Sequence, residues 1–207
     1  MDTRELTAAD FRADASIECD GHLHVAANLG TLNCLSIQCS GSLGIEAGTG
    51  IKAEYGIEAG CDIEAGWGIE AGAGIKAGYG IKAGWNIRAG WNIEAGAGIC
   101  AGEGIKAGRG IEAVEGIEAG SGIKAGLGIE AGEGISCQCV LKWSYQLFAG
   151  VITWRQSTPE DRRIVCGRAE GGTVECGELF ETGIPPTQSQ CGLLKGDCDG
   201  NSRVDGG

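Results

Sequence analysis

Two histidines near the amino end are the residues best suited to metal chemistry. Alternation along a strand would put His22 and His24 on one side. Asp20 and Glu18 precede them with the same spacing of two, and two imidazoles with a carboxylate can hold a transition metal. Gly21 is expected to break such a strand. We therefore favour a solvated outer face and predict no metal site.

A second chemical pattern ends the sequence as GDCDGNSRVDGG. Asp197, Asp199 and Asn201 occupy positions 1, 3 and 5 of a calcium loop, and Asp205 occupies position 9. The segment resembles the first half of a dockerin loop, which implies calcium ligation. Because the bidentate twelfth position and a following helix are lacking, an acidic tail is the favoured interpretation.

The 11 cysteines do not form a recognisable catalytic or zinc pattern. No Cys-x-x-Cys pair occurs, and neither Cys61 nor Cys100 has a histidine nearby in the sequence. The amino-terminal sequence lacks a secretion signal, so a reduced, cytoplasmic setting is expected. We predict no catalytic residue and no cofactor, and hence a protein that is not an enzyme.

Composition excludes several other classes. The 207 residues include 40 glycines but only 3 prolines, which rules out collagen. A net charge of −12 disfavours direct contact with nucleic acid or with an anionic membrane. No apolar stretch is long enough to span a bilayer. The expected partner is another protein, and self-association is an open alternative.

A six-residue repeat fills the middle of the chain, with sixteen isoleucines spaced by six from Ile45 to Ile135. Two glycines in each repeat would cost a helix roughly 2 kcal/mol. In a strand, the isoleucine and alanine of Ile-Glu-Ala point inward and the charged residue points outward. In the first copy, Ile45 and Ala47 would therefore face the core and Glu46 the solvent. The pattern predicts an all-β fold, a β-solenoid of short parallel strands.

The residues that replace the glycines suggest a backbone rule for the corners. Glu54 and Val114 replace the first glycine of Gly-x-Gly, whereas Asp62, Asn86 and Asn92 replace the second. Asn and Asp tolerate left-handed backbone better than other non-glycine residues. We therefore predict a positive φ at the second corner position and none at the first.

The spacing of the aromatic residues indicates how many residues make one coil. Twelve residues per coil, with two strands, would align Tyr55, Trp67, Tyr79 and Trp91 along one edge, and this is the favoured interpretation. Three strands per 18-residue coil are the alternative. The two-strand coil also produces a predominantly acidic face, which is interrupted by two lysines and contains Glu46, Glu58, Glu70, Glu94, Glu118 and Glu130.

Four regions are predicted along the chain. Residues 1–14 form an amino-terminal arm or cap, and 15–136 form the solenoid. Residues 137–184 form a small carboxyl-terminal β cap, with Thr158 capping a short helix and a hairpin around Gly171-Gly172. Residues 185–207 are expected to be a flexible acidic tail.

The stretch GIEAGCDIEAGWGIEAG resembles the glycine-punctuated β-solenoids of bacteria and their prophages, including bactofilin-type scaffolds. This resemblance implies a structural, polymer-forming role. In architecture alone the chain is similar to pentapeptide-repeat solenoids that mimic DNA, which implies an inhibitor of DNA-binding enzymes.

Two functional hypotheses follow. The first is a rigid, non-enzymatic scaffold or protein-binding module that makes contact through its aromatic residues Tyr55, Trp67, Tyr79, Trp85 and Trp91. The second is an acidic, DNA-mimicking inhibitor of a host nucleic-acid-binding enzyme or defence complex, encoded by a prophage and acting through the acidic face.

Overall fold

The chain folds as a parallel β-solenoid whose strands form three sheets. The computed structural model describes residues 2–183. The ten-stranded sheet contains β1 (Thr3–Leu6), β3 (His22–Val25), β6 (Leu43–Ile45), β9 (Ile63–Ala65), β12 (Ile81–Ala83), β15 (Ile99–Ala101), β18 (Ile117–Ala119), β21 (Ile135–Cys137), β24 (Arg163–Cys166) and β27 (Glu178–Glu181).

The other two sheets alternate with it along the chain. The eight-stranded sheet contains β4 (Gly30–Cys34), β7 (Thr49–Ala53), β10 (Ile69–Ala71), β13 (Ile87–Ala89), β16 (Ile105–Ala107), β19 (Ile123–Ala125), β22 (Val140–Lys142) and β25 (Arg168–Glu170). The nine-stranded sheet contains β2 (Ser16–Cys19), β5 (Ser36–Cys39), β8 (Ile57–Ala59), β11 (Ile75–Ala77), β14 (Ile93–Ala95), β17 (Ile111–Ala113), β20 (Ile129–Ala131), β23 (Gln146–Ala149) and β26 (Thr173–Cys176).

Each regular coil has three strands and 18 residues, so the favoured two-strand coil was wrong and its alternative is correct. Ile69 pairs with Ile51 on one side and with Ile87 on the other, in parallel. A 12-residue coil would instead pair Ile69 with Ile57, but Ile57 lies in the nine-stranded sheet. The all-β solenoid itself is confirmed.

The core is built as the repeat predicts. From Ile51 to Ile135 the repeat isoleucines are at most 1% exposed, and the alanines that follow them are also buried. The residue between them points away from the core and is exposed or half-buried. Because each strand has only one outward side chain, the outer surface of each sheet is a row of those side chains, one per coil.

The first copy of the repeat departs from this rule. Leu43 pairs with Ile63, so Ile45 occupies the place that alanine takes in later coils, opposite Ala65. Ala47, predicted to face the core, is exposed. Gly48 follows with a φ of 74°, and the chain turns there before β7 begins. The regular six-residue register therefore begins at Ile51.

The backbone rule proposed for the corners was also wrong. Asp62, Asn86 and Asn92 do not have positive φ; among the described non-glycine residues only Asn28 does. The three side chains instead act as acceptors for the next coil. Their Oδ1 atoms accept hydrogen bonds from the backbone N–H of Gly80 (2.9 Å), Gly104 (3.2 Å) and Gly110 (3.1 Å), respectively.

This hydrogen bond gives a prediction for Asn86. Glycine there is expected to lower the free energy of unfolding by about 1 kcal/mol, because the Gly104 N–H loses its side-chain acceptor. Asp62→Asn keeps the acceptor oxygen for the Gly80 N–H and serves as the control, with a smaller loss. Asn86→Asp is unsuitable, because the Asn86 amide also donates to Glu103 at 2.9 Å. Urea denaturation followed by circular dichroism measures both. An Asn86→Gly protein as stable as the parent would show that this hydrogen bond contributes nothing to stability.

Irregular coils occupy both ends. At the amino end, β1 pairs with β3, a 3-10 helix follows at Ala8–Asp10, and Leu6 and Phe11 are buried. At the carboxyl end, the strands of residues 137–181 extend the same three sheets. The hairpin predicted around Gly171-Gly172 was wrong: β25 and β26 belong to different sheets, where β25 pairs with β22 and β26 with β23, both in parallel. The predicted tail, 185–207, with its calcium-loop residues, lies outside the described residues.

Candidate interaction surfaces

The aromatic residues lie at all three corners of the solenoid, and the predicted single edge was wrong. Tyr55 and Trp91 lie between the eight- and nine-stranded sheets, Trp67 and Trp85 between the ten- and eight-stranded sheets, and Tyr79 between the nine- and ten-stranded sheets. The change follows directly from coil length, because residues 12 apart are on different corners when the coil has 18. All five side chains remain 37–59% exposed.

One aromatic contact does form along a corner. The rings of Trp67 and Trp85, one coil apart, stack with centroids 5.5 Å apart and an interplanar angle of 16°. Stacking of this kind adds about 0.5–1.5 kcal/mol beyond burial. The pair presents a broad indole surface to solvent. We call it the Trp67–Trp85 corner.

The corner between the eight- and nine-stranded sheets is also apolar. The guanidinium of Arg109 lies 5.1 Å from the ring centroid of Trp91, in the preceding coil. Tyr55, Leu127 and Tyr145 occupy the same corner in other coils and are at least half exposed. This corner, which we call the mixed apolar corner, therefore carries large side chains along most of its length.

The predicted acidic face does not exist as a face. Glu118 points from the ten-stranded sheet, Glu70 from the eight-stranded sheet, and Glu58, Glu94 and Glu130 from the nine-stranded sheet. Glu46 follows β6 and contacts His24. The six carboxylates were grouped by a spacing of 12, which an 18-residue coil divides among its three sides.

The 18-residue coil groups the charges differently. In the eight-stranded sheet, Arg88, Lys106 and Lys124 point outward from consecutive paired strands, and Lys142 follows them. In the nine-stranded sheet, Glu94, Glu112 and Glu130 do the same. Neither row was predicted, because their members are 18 residues apart and the favoured coil had 12; every eighteenth residue of the sequence shows them.

The histidines contact residues other than those predicted. His24 Nδ1 lies 2.7 Å from Glu5 Oε2 and its Nε2 lies 3.2 Å from Glu46 Oε1. The hydrogen bond to Glu5 is the main reason that the pKa of His24 is raised. His22 Nδ1 accepts the backbone N–H of Ser42. Among residues 2–183, no three His, Cys, Asp or Glu side chains are grouped as metal ligands.

A charged cluster holds the segment between β23 and β24. Arg155 donates to both carboxylate oxygens of Asp161, at 2.6 and 2.8 Å, and to Glu133 at 2.9 Å. The Arg155 guanidinium and the Thr158 N–H hold the pKa of Asp161 well below its usual range. Turns replace the helix predicted after Thr158. The cluster anchors this segment to the corner before β21.

No family model, curated protein or solved structure matches this chain. Among residues 2–183, no helix has the length and apolar character needed to cross a bilayer.

Proposed function

We propose that this protein is a rigid, non-enzymatic β-solenoid scaffold that binds another protein through an aromatic corner. The observation that carries the proposal is the exposure of Trp67, Trp85 and their fellow aromatics outside a core made of isoleucine and alanine. Large exposed apolar groups rimmed by charge are typical of protein interfaces.

The fold does not require aromatic residues at these positions. Equivalent corner positions in other coils hold Ala73, Ala97 and Ser121, and the strands beside them keep the same register. A stacking role alone would concern only Trp67 and Trp85, whereas Tyr55, Tyr79 and Trp91 are exposed at other corners. Tryptophan is enriched among residues that dominate binding energy. The Trp67–Trp85 corner is therefore the proposed main contact.

The proposal predicts that substitutions at this corner remove partner binding and leave the protein folded. Trp67→Ser with Trp85→Ser is expected to reduce capture of the partner at least tenfold, while the protein stays folded. Its stability is expected to fall by the stacking contribution of about 0.5–1.5 kcal/mol and by the loss of the area that the two indoles bury. Quantitative affinity capture from the source cells, together with thermal unfolding, measures both effects.

Ala97→Ser is the matched control, because it places the same side chain at the corner between the nine- and ten-stranded sheets, away from Trp67, Trp85 and Trp91. Its captured proteins and melting temperature are expected to match those of the parent. If the double tryptophan variant loses stability but captures the same proteins in the same amounts, the corner serves only intramolecular stacking and the proposal is overturned.

DNA mimicry remains an untested prediction, and it is the less favoured one. The longest row of consecutive anions that supports it is Glu94, Glu112 and Glu130 on the nine-stranded sheet. The adjacent eight-stranded sheet presents cations in the same coils. A surface that imitates the phosphates of a duplex would need anions on both sides of that corner.

A further inference from the structure

The outward charges of two neighbouring sheets have opposite signs in five successive coils. The eight-stranded sheet presents, in order, Lys52, Glu70, Arg88, Lys106 and Lys124. The nine-stranded sheet presents, in the same five coils, Glu58, Lys76, Glu94, Glu112 and Glu130. The signs are opposite even where each row changes sign: Glu70, the one anion of the first row, shares a coil with Lys76, the one cation of the second.

The two rows do not neutralise each other within one molecule. Their ion pairs run along a single sheet: Lys52 with Glu70 at 3.0 Å, and Lys76 with Glu94 at 4.0 Å. Among the described residues, no ion pair joins the eight-stranded sheet to the nine-stranded sheet. Lys106 lies between Arg88 and Lys124, and Glu112 lies between Glu94 and Glu130. Like charges on directly paired strands are unfavourable in a sheet.

We infer that these two sheets form a contact between copies of this chain, in which the nine-stranded sheet of one copy packs against the eight-stranded sheet of the next. The solenoid axes are parallel and the coils are in register. Both rows repeat at the spacing of neighbouring strands, about 4.8 Å, so all five positions match at once. The second copy is the partner whose charges repeat with this spacing and this order of signs.

Other arrangements of two copies place like charges together. Sliding one copy by one coil puts Lys52 against Lys76 and Glu70 against Glu94. Reversing one axis puts Glu70 against Glu112 and Lys106 against Lys76. Packing the nine-stranded sheet on itself about a two-fold axis puts Glu94 against its own counterpart. The charge order thus selects one orientation and one register.

The mixed apolar corner supports the same contact. It lies between the two sheets, so Trp91, Leu127 and Tyr145 border the interface in every copy. Exposed ion pairs alone contribute little and weaken with salt. Partial burial of this corner adds an apolar contribution to the contact. The charged rows on either side of this corner then determine the orientation and register of the two copies.

This contact uses two different surfaces, so it does not end at a dimer. Each added copy leaves one free nine-stranded and one free eight-stranded sheet, until a ring closes or a row continues. The inference goes beyond the proposed scaffold role. It does not depend on which protein the Trp67–Trp85 corner binds.

Exchange of the charges tests the inference. The acid-row variant carries Glu94→Lys, Glu112→Lys and Glu130→Lys, and the base-row variant carries Arg88→Glu, Lys106→Glu and Lys124→Glu. At low salt, the full-length protein is expected to sediment as species larger than a dimer, and to become a monomer at about 0.5 M salt. Each variant alone is expected to be a monomer, whereas their equimolar mixture assembles again.

A control variant, Glu64→Lys with Glu118→Lys, changes charges on the ten-stranded sheet and is expected to assemble like the parent. Circular dichroism checks that every variant is folded. A monomeric parent at low salt, or a mixture of folded variants that stays monomeric, overturns the inference.

Carbodiimide cross-linking of the unaltered protein provides a measurement without substitutions. In a mixture of ¹⁴N- and ¹⁵N-labelled protein, mass spectrometry is expected to find Lys106 joined to Glu112 and Lys124 to Glu130 between differently labelled chains. Intermolecular cross-links dominated by Lys106 to Glu94, or by pairs that do not join these two sheets, contradict the proposed register.

Discussion

Alanine at Gly84 is expected to lower the free energy of unfolding by about 2 kcal/mol, whereas alanine at Gly80 changes it by less than about 1 kcal/mol. A Cβ on Gly84 would overlap the carbonyl oxygen of Gly66 in the preceding coil. A Cβ on Gly80 would have Asp62 Oδ1 at 3.4 Å and the Gly98 oxygen at 3.6 Å, which are ordinary contacts. Neither glycine has positive φ, so the difference is steric.

Urea denaturation of the two variants measures this difference. Because the coils of a solenoid can unfold separately, hydrogen exchange in β12 and β13 should accompany it. Val114 and Glu54 carry side chains at first-corner positions, and their N–H groups still bond to the preceding coil at 3.2 and 3.0 Å, so the chain accommodates a side chain at those two corners. Equal losses at Gly84 and Gly80, or a larger loss at Gly80, would contradict the steric explanation.

The second large effect concerns the buried cysteines. Cys137 takes the place of an inward alanine, pairs with Ala119 and is 4% exposed. Burial raises its pKa to about 12. At pH 8 its thiolate fraction is therefore about a thousandfold lower than that of an ordinary thiol, and the thiolate is the reactive form. Alkylation of Cys137 in the folded protein is expected to be at least that much slower than in urea.

Iodoacetamide labelling followed by peptide mass spectrometry measures the rate at each cysteine. Burial also raises the pKa of Cys34 and of Cys39 to about 11, so these residues are expected to be protected as well. Cys61 is half-buried at a corner and serves as the internal control. Labelling of Cys137 as rapid as that of Cys61 in the folded protein would show that the coil around it opens readily.

Much of the local structure could be predicted because it depends on residues close together in the sequence. Inward Ile93 and Ala95 around outward Glu94 follow from the two-residue period of a strand. The same argument accounts for Cys137, which lies two residues after Ile135 and is buried. It failed at Ala47, where an irregular turn with Gly48 at positive φ shifts the first copy out of register.

The corner residues show where local propensity was insufficient. Asn86 and Asn92 suggested left-handed backbone, because that is the commonest reason for asparagine to replace glycine. Their actual role is to accept hydrogen bonds from Gly104 and Gly110, 18 residues further on. A bond across coils can be anticipated only when the coil length is known.

By itself, the sequence determined an all-β solenoid with isoleucine and alanine inside, charged residues outside and glycine-rich corners. Only the tertiary structure decided that a coil closes after three strands. The corners share one Gly-x-Gly pattern with five substitutions, so the local signals do not distinguish coils of 12 and 18 residues. Closure instead depends on how the inward isoleucines of different strands fill one core. That choice separates Trp67 from Trp91, disperses the predicted acidic face, and aligns Arg88, Lys106 and Lys124 in one row.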